Sequence, residues 1–205
     1  MSATNGAAQK LAYNIRPVDP EQLRLLRHEV LWPSIPLSAQ LAEYDYAPGA
    51  LHLGLFLPSS DLRALSIPPS YDSLPVGVVT LVPAPYTQPP QPLPPSLASS
   101  LPEFRGEPAT QLRKFALHPN LQGRGLGRVM FDACVSALQK MDREEGQEGR
   151  EGQEGRRLLH LDARTNQVGF YQRLGLSVLD ENVFTKVGPN GDGPAIPHLR
   201  MGIVI

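Results

Sequence analysis

The chain has 205 residues and a mass of 22.4 kDa, the size of one domain or of one domain carrying insertions. At 41% apolar and 19% charged residues it is too apolar for a disordered chain, and its net charge of −1 without a dense Lys/Arg cluster excludes the footprint of nucleic-acid or anionic-membrane binding. Its single cysteine, Cys134, excludes an internal disulfide and a cysteine-rich zinc site, and Met1-Ser2-Ala3-Thr4 does not open a secretory leader, so a cytoplasmic location is expected.

In chain order, Tyr13 to Val18 predicts a first strand. Asp19-Pro20-Glu21 then starts a helix, with an N-cap and a proline at the first position, that runs to about Leu31 and buries Leu23, Leu26 and Val30. Trp32-Pro33 ends it. Leu51, Leu53, Leu55 and Leu57 alternate with His52, Gly54 and Phe56, a strand period. Val76 to Val82 is a β-branched strand, and the turn at Pro69 to Ser73 implies an antiparallel pair. Eight prolines between Pro83 and Pro102 mark 83–108 as an inserted, extended loop.

Thr110 to Leu117 reads as a strand and Leu126 to Met141 as a helix with Met130, Cys134, Leu138 and Met141 on one face. Beyond it, Gly146-Gln-Glu-Gly-Arg150 recurs as Gly152-Gln-Glu-Gly-Arg156. With glycine weakening a helix and nothing apolar to bury, 142–157 is expected to be a disordered insertion. Leu158 to Asp162 predicts a strand, Gln167 to Leu174 a short helix closed by Gly175, and Val183–Val187 and His198–Val204 the terminal strands. Residues 1–205 therefore read as one domain, a mixed α/β sheet with a parallel centre.

The informative segment is Gln111 to Pro119 followed by Gln122-Gly-Arg-Gly-Leu-Gly127 and Arg128: a strand, a glycine-rich turn and a helix N-terminus in sequence. The orphan N–H groups of such a turn bear partial positive charge and suit a phosphate or diphosphate, with Arg124 and Arg128 adding charge. An ordinary tight turn is the alternative. The G-x-G-x-x-G dinucleotide spacing is absent, and no Gly-Lys-Ser/Thr follows for a nucleotide P-loop.

Leu117 to Gly127 resembles the Gln/Arg-x-x-Gly-x-Gly/Ala loop that holds the diphosphate of coenzyme A in the GNAT superfamily of acyl-CoA N-acyltransferases. Phe170-Tyr171-Gln-Arg-Leu-Gly175-Leu176 is similar to its F-Y-x-x-L-G-F segment. Leu25 to Pro33 and Ile196 to Met201 resemble an uncharacterised bacterial-type subgroup.

The resemblance implies a GNAT-type twisted sheet with helices on both faces and splayed central strands. It implies acetyl-CoA as acyl donor, its arm along Phe115, Ala116 and Leu117, and its diphosphate on Gln122, Gly123, Arg124, Gly125, Leu126, Gly127 and Arg128. Tyr171 is then the acid that protonates the departing thiolate; a core aromatic is the duller role for it. Homodimers through the terminal strands are common in the superfamily, and this composition neither requires nor excludes one.

The pattern departs in two places. Many relatives place a Glu or His base where this chain has Gln111 and Arg113, neither of which accepts a proton usefully. His198 is the candidate base, set against a structural histidine; His160 with Asp162 would face the cleft or form a core pair, and His118 is discounted. Glu43, Asp45 and Glu107 would border the acceptor and favour a cationic one. In place of an asparagine seven residues before the tyrosine stands Arg164, within reach of a phosphate or the acceptor. The expectation is an N-acetyltransferase for a primary amine of a small molecule, by direct attack, with no metal because the five histidines show no ligand spacing. A non-catalytic acyl-CoA-binding module and a peptide or protein N-acetyltransferase are the alternatives.

Overall fold

The structure, a computed structural model, describes residues 11–86, 108–147, 157–187 and 195–205, with backbone alone at 145–147. Most of the expected proline-rich loop, and residues 148–156 of the expected Gly/Gln/Glu insertion, lie outside the described residues.

Among the described residues, seven strands form one sheet: β1 (Asn14–Pro17), β2 (Leu51–Phe56), β3 (Gly77–Pro83), β4 (Ala109–Leu117), β5 (Leu158–Arg164), β6 (Ser177–Lys186) and β7 (Ile196–Val204), in the order β1-β2-β3-β4-β5-β7-β6. All neighbours are antiparallel except β4 and β5. Those two pair in parallel only at Ala109↔Leu158, Thr110↔Leu159 and Gln111↔His160. Beyond that point each continues without the other, so the sheet opens into a V at its centre.

The first helical segment is not one regular helix. A 3-10 turn (Pro20–Leu23) leads into α1 (Arg24–Leu26) and then a π turn (Arg27–Leu31), closed by the Trp32 N–H donating to the Arg27 carbonyl at 3.1 Å. The start matches the sequence signal: the Asp19 N–H donates to Gln22 Oε1 at 3.2 Å. The end follows from Pro33, which disfavours helical backbone at Trp32 (φ −143°). Leu23 and Leu26 are fully buried as expected and Val30 is half-buried, but Arg27 is fully buried too.

Among the described residues there are three further α-helices: α2 (Ser59–Ala64), α3 (Leu126–Gln147) and α4 (Val168–Arg173). The short α2, seated by buried Leu62 between β2 and β3, has no counterpart in the sequence expectation. Helix α3 corrects another one: it continues through 142–147, into the tract expected to be disordered. Arg157, at the far end of that tract, is buried and donates to both Asp142 carboxylate oxygens and to Thr110 Oγ1.

Helices cover both faces of the sheet. A Cβ on Gly77 would meet Met130 Sδ of α3 at 2.6 Å, whereas Thr80 Oγ1 accepts from Arg27 at 2.6 Å. Residues 77 and 80 point to opposite sides of a strand, so α3 and the first helical segment lie on opposite faces. The core runs through both layers, with Leu23, Leu26, Leu55, Val78, Leu81, Met130, Cys134 and Leu159 essentially inaccessible to solvent. Each such side chain contributes roughly 1.5–3 kcal/mol on burial.

Candidate active site

The V between β4 and β5 is the mouth of a cleft of about 1020 Å³. Its floor and walls come from β4, the glycine turn, the C-terminal halves of β5 and α4, and the π turn ending in Trp32. Among the described residues, no strand pairs with the β5-facing edge of β4 along 112–117.

Strand β4 is also bulged. Val78 pairs with Ala116 and Thr80 with Arg113, so Val79 opposes both Lys114 and Phe115. Lys114 takes φ +52°, a left-handed backbone that a lysine adopts only under constraint.

At the end of β4 the chain turns through Gly123 (φ +73°) and Gly125 (φ +79°), and a Cβ at either would meet nothing within 4 Å. These glycines are required by backbone conformation and leave open space over the turn. Gly127 serves packing: a Cβ there would press on the Phe170 ring at 3.0 Å. Among the described residues, the N–H groups of 123–127 donate to nothing, the first helical donors of α3 included. The result is an open cradle of donors at a helix N-terminus, fit for an anion.

The predicted binding residues divide within this region. Phe115, Ala116, Leu117, Gln122, Gly123, Gly125, Gly127 and Arg128 line the cleft. Arg124 is exposed, its Nε–H donating to the Asn120 carbonyl at 3.1 Å, and the Leu126 side chain is in the core, leaving only its backbone at the turn. Arg128 donates to the Arg173 carbonyl, tying the start of α3 to the end of α4.

Tyr171 lines the cleft with its ring buried against Phe170, whose ring centroid lies 5.0 Å away. Its hydroxyl makes no hydrogen bond to any described residue. Burial pushes that hydroxyl well above the ordinary tyrosine range, Cys134 nearby adding and Arg164 opposing, so it is a held proton and not a base. His198 also lines the cleft, stacked on Phe184. Its Nδ1 lies 2.7 Å from the Ile196 carbonyl, which only accepts, so Nδ1 carries the proton and Nε2 keeps its lone pair. Burial lowers the imidazole pKa, with the Ile196 carbonyl pulling the other way, so the ring is neutral near pH 7.

The remaining candidates are engaged by neighbours or lie away from the cleft. His160 faces the Ala84 carbonyl at 3.1 Å and the Tyr86 ring, not Asp162. Asp162 lines the cleft but holds Lys186 Nζ at 2.6 Å, with Gln111 Nε2 at 3.3 Å. His118 accepts from the Asn120 N–H beside Tyr71. Asp45 corrects the expectation of an acidic acceptor loop: it is fully buried and bound to Arg27 through two hydrogen bonds of 2.8 Å. Glu43 is exposed and outside the cleft lining, and Glu107 lies outside the described residues.

A basic wall stands opposite, of which the sequence expectation held Arg164 alone as a contact to phosphate or acceptor. Arg113 lies over the Tyr44 ring (4.6 Å to its centroid), and Lys114 and Arg164 both lie over Trp32 (5.6 and 5.8 Å). The lone tryptophan at a helix end was the available signal. Among the described residues no cluster suits a metal ion, and no helix is long and apolar enough to cross a membrane.

No protein-family model and no curated protein matches the sequence. Solved structures do match over nearly the whole chain. An acyl-CoA N-acyltransferase from Pseudomonas aeruginosa superposes with a TM-score of 0.54 at 14% identity, covering 94% of this chain and 99% of its own. Arabidopsis thaliana NAA60 bound to a bisubstrate analogue gives 0.58 at 13%, covering 94% and 98%, and it is matched in complex with acetyl-CoA as well. FeeM, an N-acyl amino acid synthase from uncultured soil microbes, gives 0.52 at 16%, covering 95% and 91%. The chain has the fold of the GNAT acyl-CoA N-acyltransferases.

Proposed function

We propose that the protein is an acetyl-CoA-dependent N-acetyltransferase acting on the primary amine of a small molecule. The observation that carries this reading is the edge of β4, unpaired along 112–117 among the described residues, running into a turn whose 123–127 N–H groups donate to no described residue. An extended amide-bearing arm pairs with such an edge as an added strand would, and a diphosphate fits the turn. The solved complexes of NAA60 with acetyl-CoA and with a bisubstrate analogue share this fold and support the same donor.

In this reading the Leu117 backbone N–H polarises the thioester carbonyl. The acceptor nitrogen forms the new C–N bond as the C–S bond breaks. His198 Nε2 takes the proton released by the amine, and the Tyr171 hydroxyl supplies one to the departing thiolate, so no net charge is left on the products. Transfer is direct. Cys134, the one cysteine, is fully buried in α3 and its thiol is pushed up to about 12 by burial, which removes it as an acyl carrier.

The test is thiol release from acetyl-CoA across an amine panel. Tyr171→Phe is expected to lose turnover while keeping acetyl-CoA affinity. Acetyl-CoA binding with a flat amine panel would instead favour a non-catalytic binding module.

A further inference from the structure

The cleft holds more positive charge than diphosphate binding uses. Arg113, Lys114 and Arg164 all line it, and none makes an ion pair with a described residue. Among the described residues the one carboxylate in the lining, Asp162, is engaged by Lys186 at 2.6 Å, with Arg200 at 3.8 Å. Since the whole chain carries a net charge of −1, this excess is local placement and not composition.

The three cations stand apart from the glycine turn. Arg113 precedes Leu117 by four residues, roughly 13 Å of strand. Their aromatic seats, Trp32 and Tyr44, come from the π turn and the 3-10 turn Glu43–Tyr46, on the wall opposite α3. Burial drives the Lys114 ammonium down to about 8, a desolvation that no nearby carboxylate except Asp45, itself committed to Arg27, opposes. A simple alkylamine enters water-side as an ammonium ion and is repelled by such a wall. An amine that also carries an oxyanion is attracted, and the same field lowers the pKa of its ammonium, which eases the deprotonation that Gln111 and Arg113 do not perform.

We infer that the acceptor bears an anionic group, a carboxylate or a phosphate ester, seated between Arg113, Lys114 and Arg164 while its amine faces the thioester. This deepens the proposed acetyl transfer and rests on it for the amine alone; the oxyanion seat stands on the three cations.

The experiment pairs turnover with binding. Thiol release is measured for α-amino acids against their carboxamides, with phosphoethanolamine and 1,4-diaminobutane as further arms. Binding is followed in parallel by fluorescence of Trp32, the only tryptophan, which lies beneath two of the cations. The expected kcat/KM is about tenfold to a hundredfold higher for the anionic member of each pair. Arg113→Gln and Arg164→Gln raise the acceptor KM about tenfold or more and leave the acetyl-CoA Kd within about twofold; Lys114→Met serves where either fails to fold. Preference for amino acids or for phosphoethanolamine distinguishes the two oxyanions. Carboxamides or the diamine used as well as the anionic amines overturn the inference. Saturable Trp32 signals with anionic amines but no thiol release uphold the seat and sink the transferase reading. No turnover together with no anion-dependent signal overturns the seat.

Discussion

The Arg27 guanidinium and the Asp45 carboxylate meet through two parallel hydrogen bonds of 2.8 Å, and no solvent reaches either side chain. Arg27 also donates to Thr80 of β3, and His52 Nε2 lies 2.9 Å from the Asp45 carbonyl. The pair thereby fastens the 3-10 turn that carries Tyr44 to the helix that carries Trp32, fixing both aromatic seats of the cleft.

Breaking this pair on one side strands a buried charge. Asp45→Ala is expected to cost about 3–5 kcal/mol of stability by denaturant unfolding, and Arg27→Met with Asp45→Leu to lie closer to wild type than either single change. Burial alone would raise the Asp45 carboxyl, but the Arg27 hydrogen bonds, the Ala42 N–H and His52 outweigh it and hold it below 3.8. Its contribution is therefore complete above that value and lost as pH falls through the lower folded one. Wild type should show a steeper acid limb below about pH 4 than the double variant.

The three glycines of the turn should separate in the assays. Gly123→Ala and Gly125→Ala force a side chain into left-handed backbone at roughly 1–2 kcal/mol and disturb the donor cradle, so acetyl-CoA affinity falls. Gly127→Ala meets Phe170 instead, and overpacking of about 1–3 kcal/mol should appear in Tm more than in the Kd. Equal loss of affinity for all three would contradict this division.

If His198 Nε2 is the base, kcat/KM falls on the acid side with a pKa below the ordinary imidazole value of 6.5, the direction set by burial. His198→Gln should remove that limb and lower kcat by about 10²–10⁴-fold. A limb that survives the substitution assigns the proton to another path.

The charge on Lys114 gives the oxyanion seat its own pH dependence. Burial, with Arg27, Lys186 and Arg113 against the pull of Asp45, brings its ammonium to about 8. The acetylated product keeps the anion but has no amine to titrate. Its Kd, read by Trp32 fluorescence, should weaken as pH rises through 8 in wild type and stay flat in Lys114→Met.

Much of the fold was legible because its determinants are local. Alternation from Leu51 to Leu57 and the Met130, Cys134, Leu138 stripe each write one element into consecutive residues, and Gly123 and Gly125 mark left-handed backbone directly. What stayed hidden depends on distant partners. Arg27 reads as the polar edge of a helix until Asp45 and Thr80, 18 and 53 residues away, are brought to it. The bulge at Lys114 has no compositional mark, since its cause is the register between β3 and β4. The Gly/Gln/Glu tract misled for a local reason: Arg143, Glu144 and Glu145 are good helix formers and carry α3 past Met141 in spite of Gly146, and Asp142 is tied to Arg157.

That last contact, Asp142 to Arg157 with Thr110 behind it, works as a clasp between a helix and the sheet. It joins α3 to the first residues of β4 and β5, at the closed end of the V where Ala109, Thr110 and Gln111 pair with Leu158, Leu159 and His160. Removing it by Arg157→Ala should therefore lower stability without moving the cleft-lining residues at the other ends of β4 and β5.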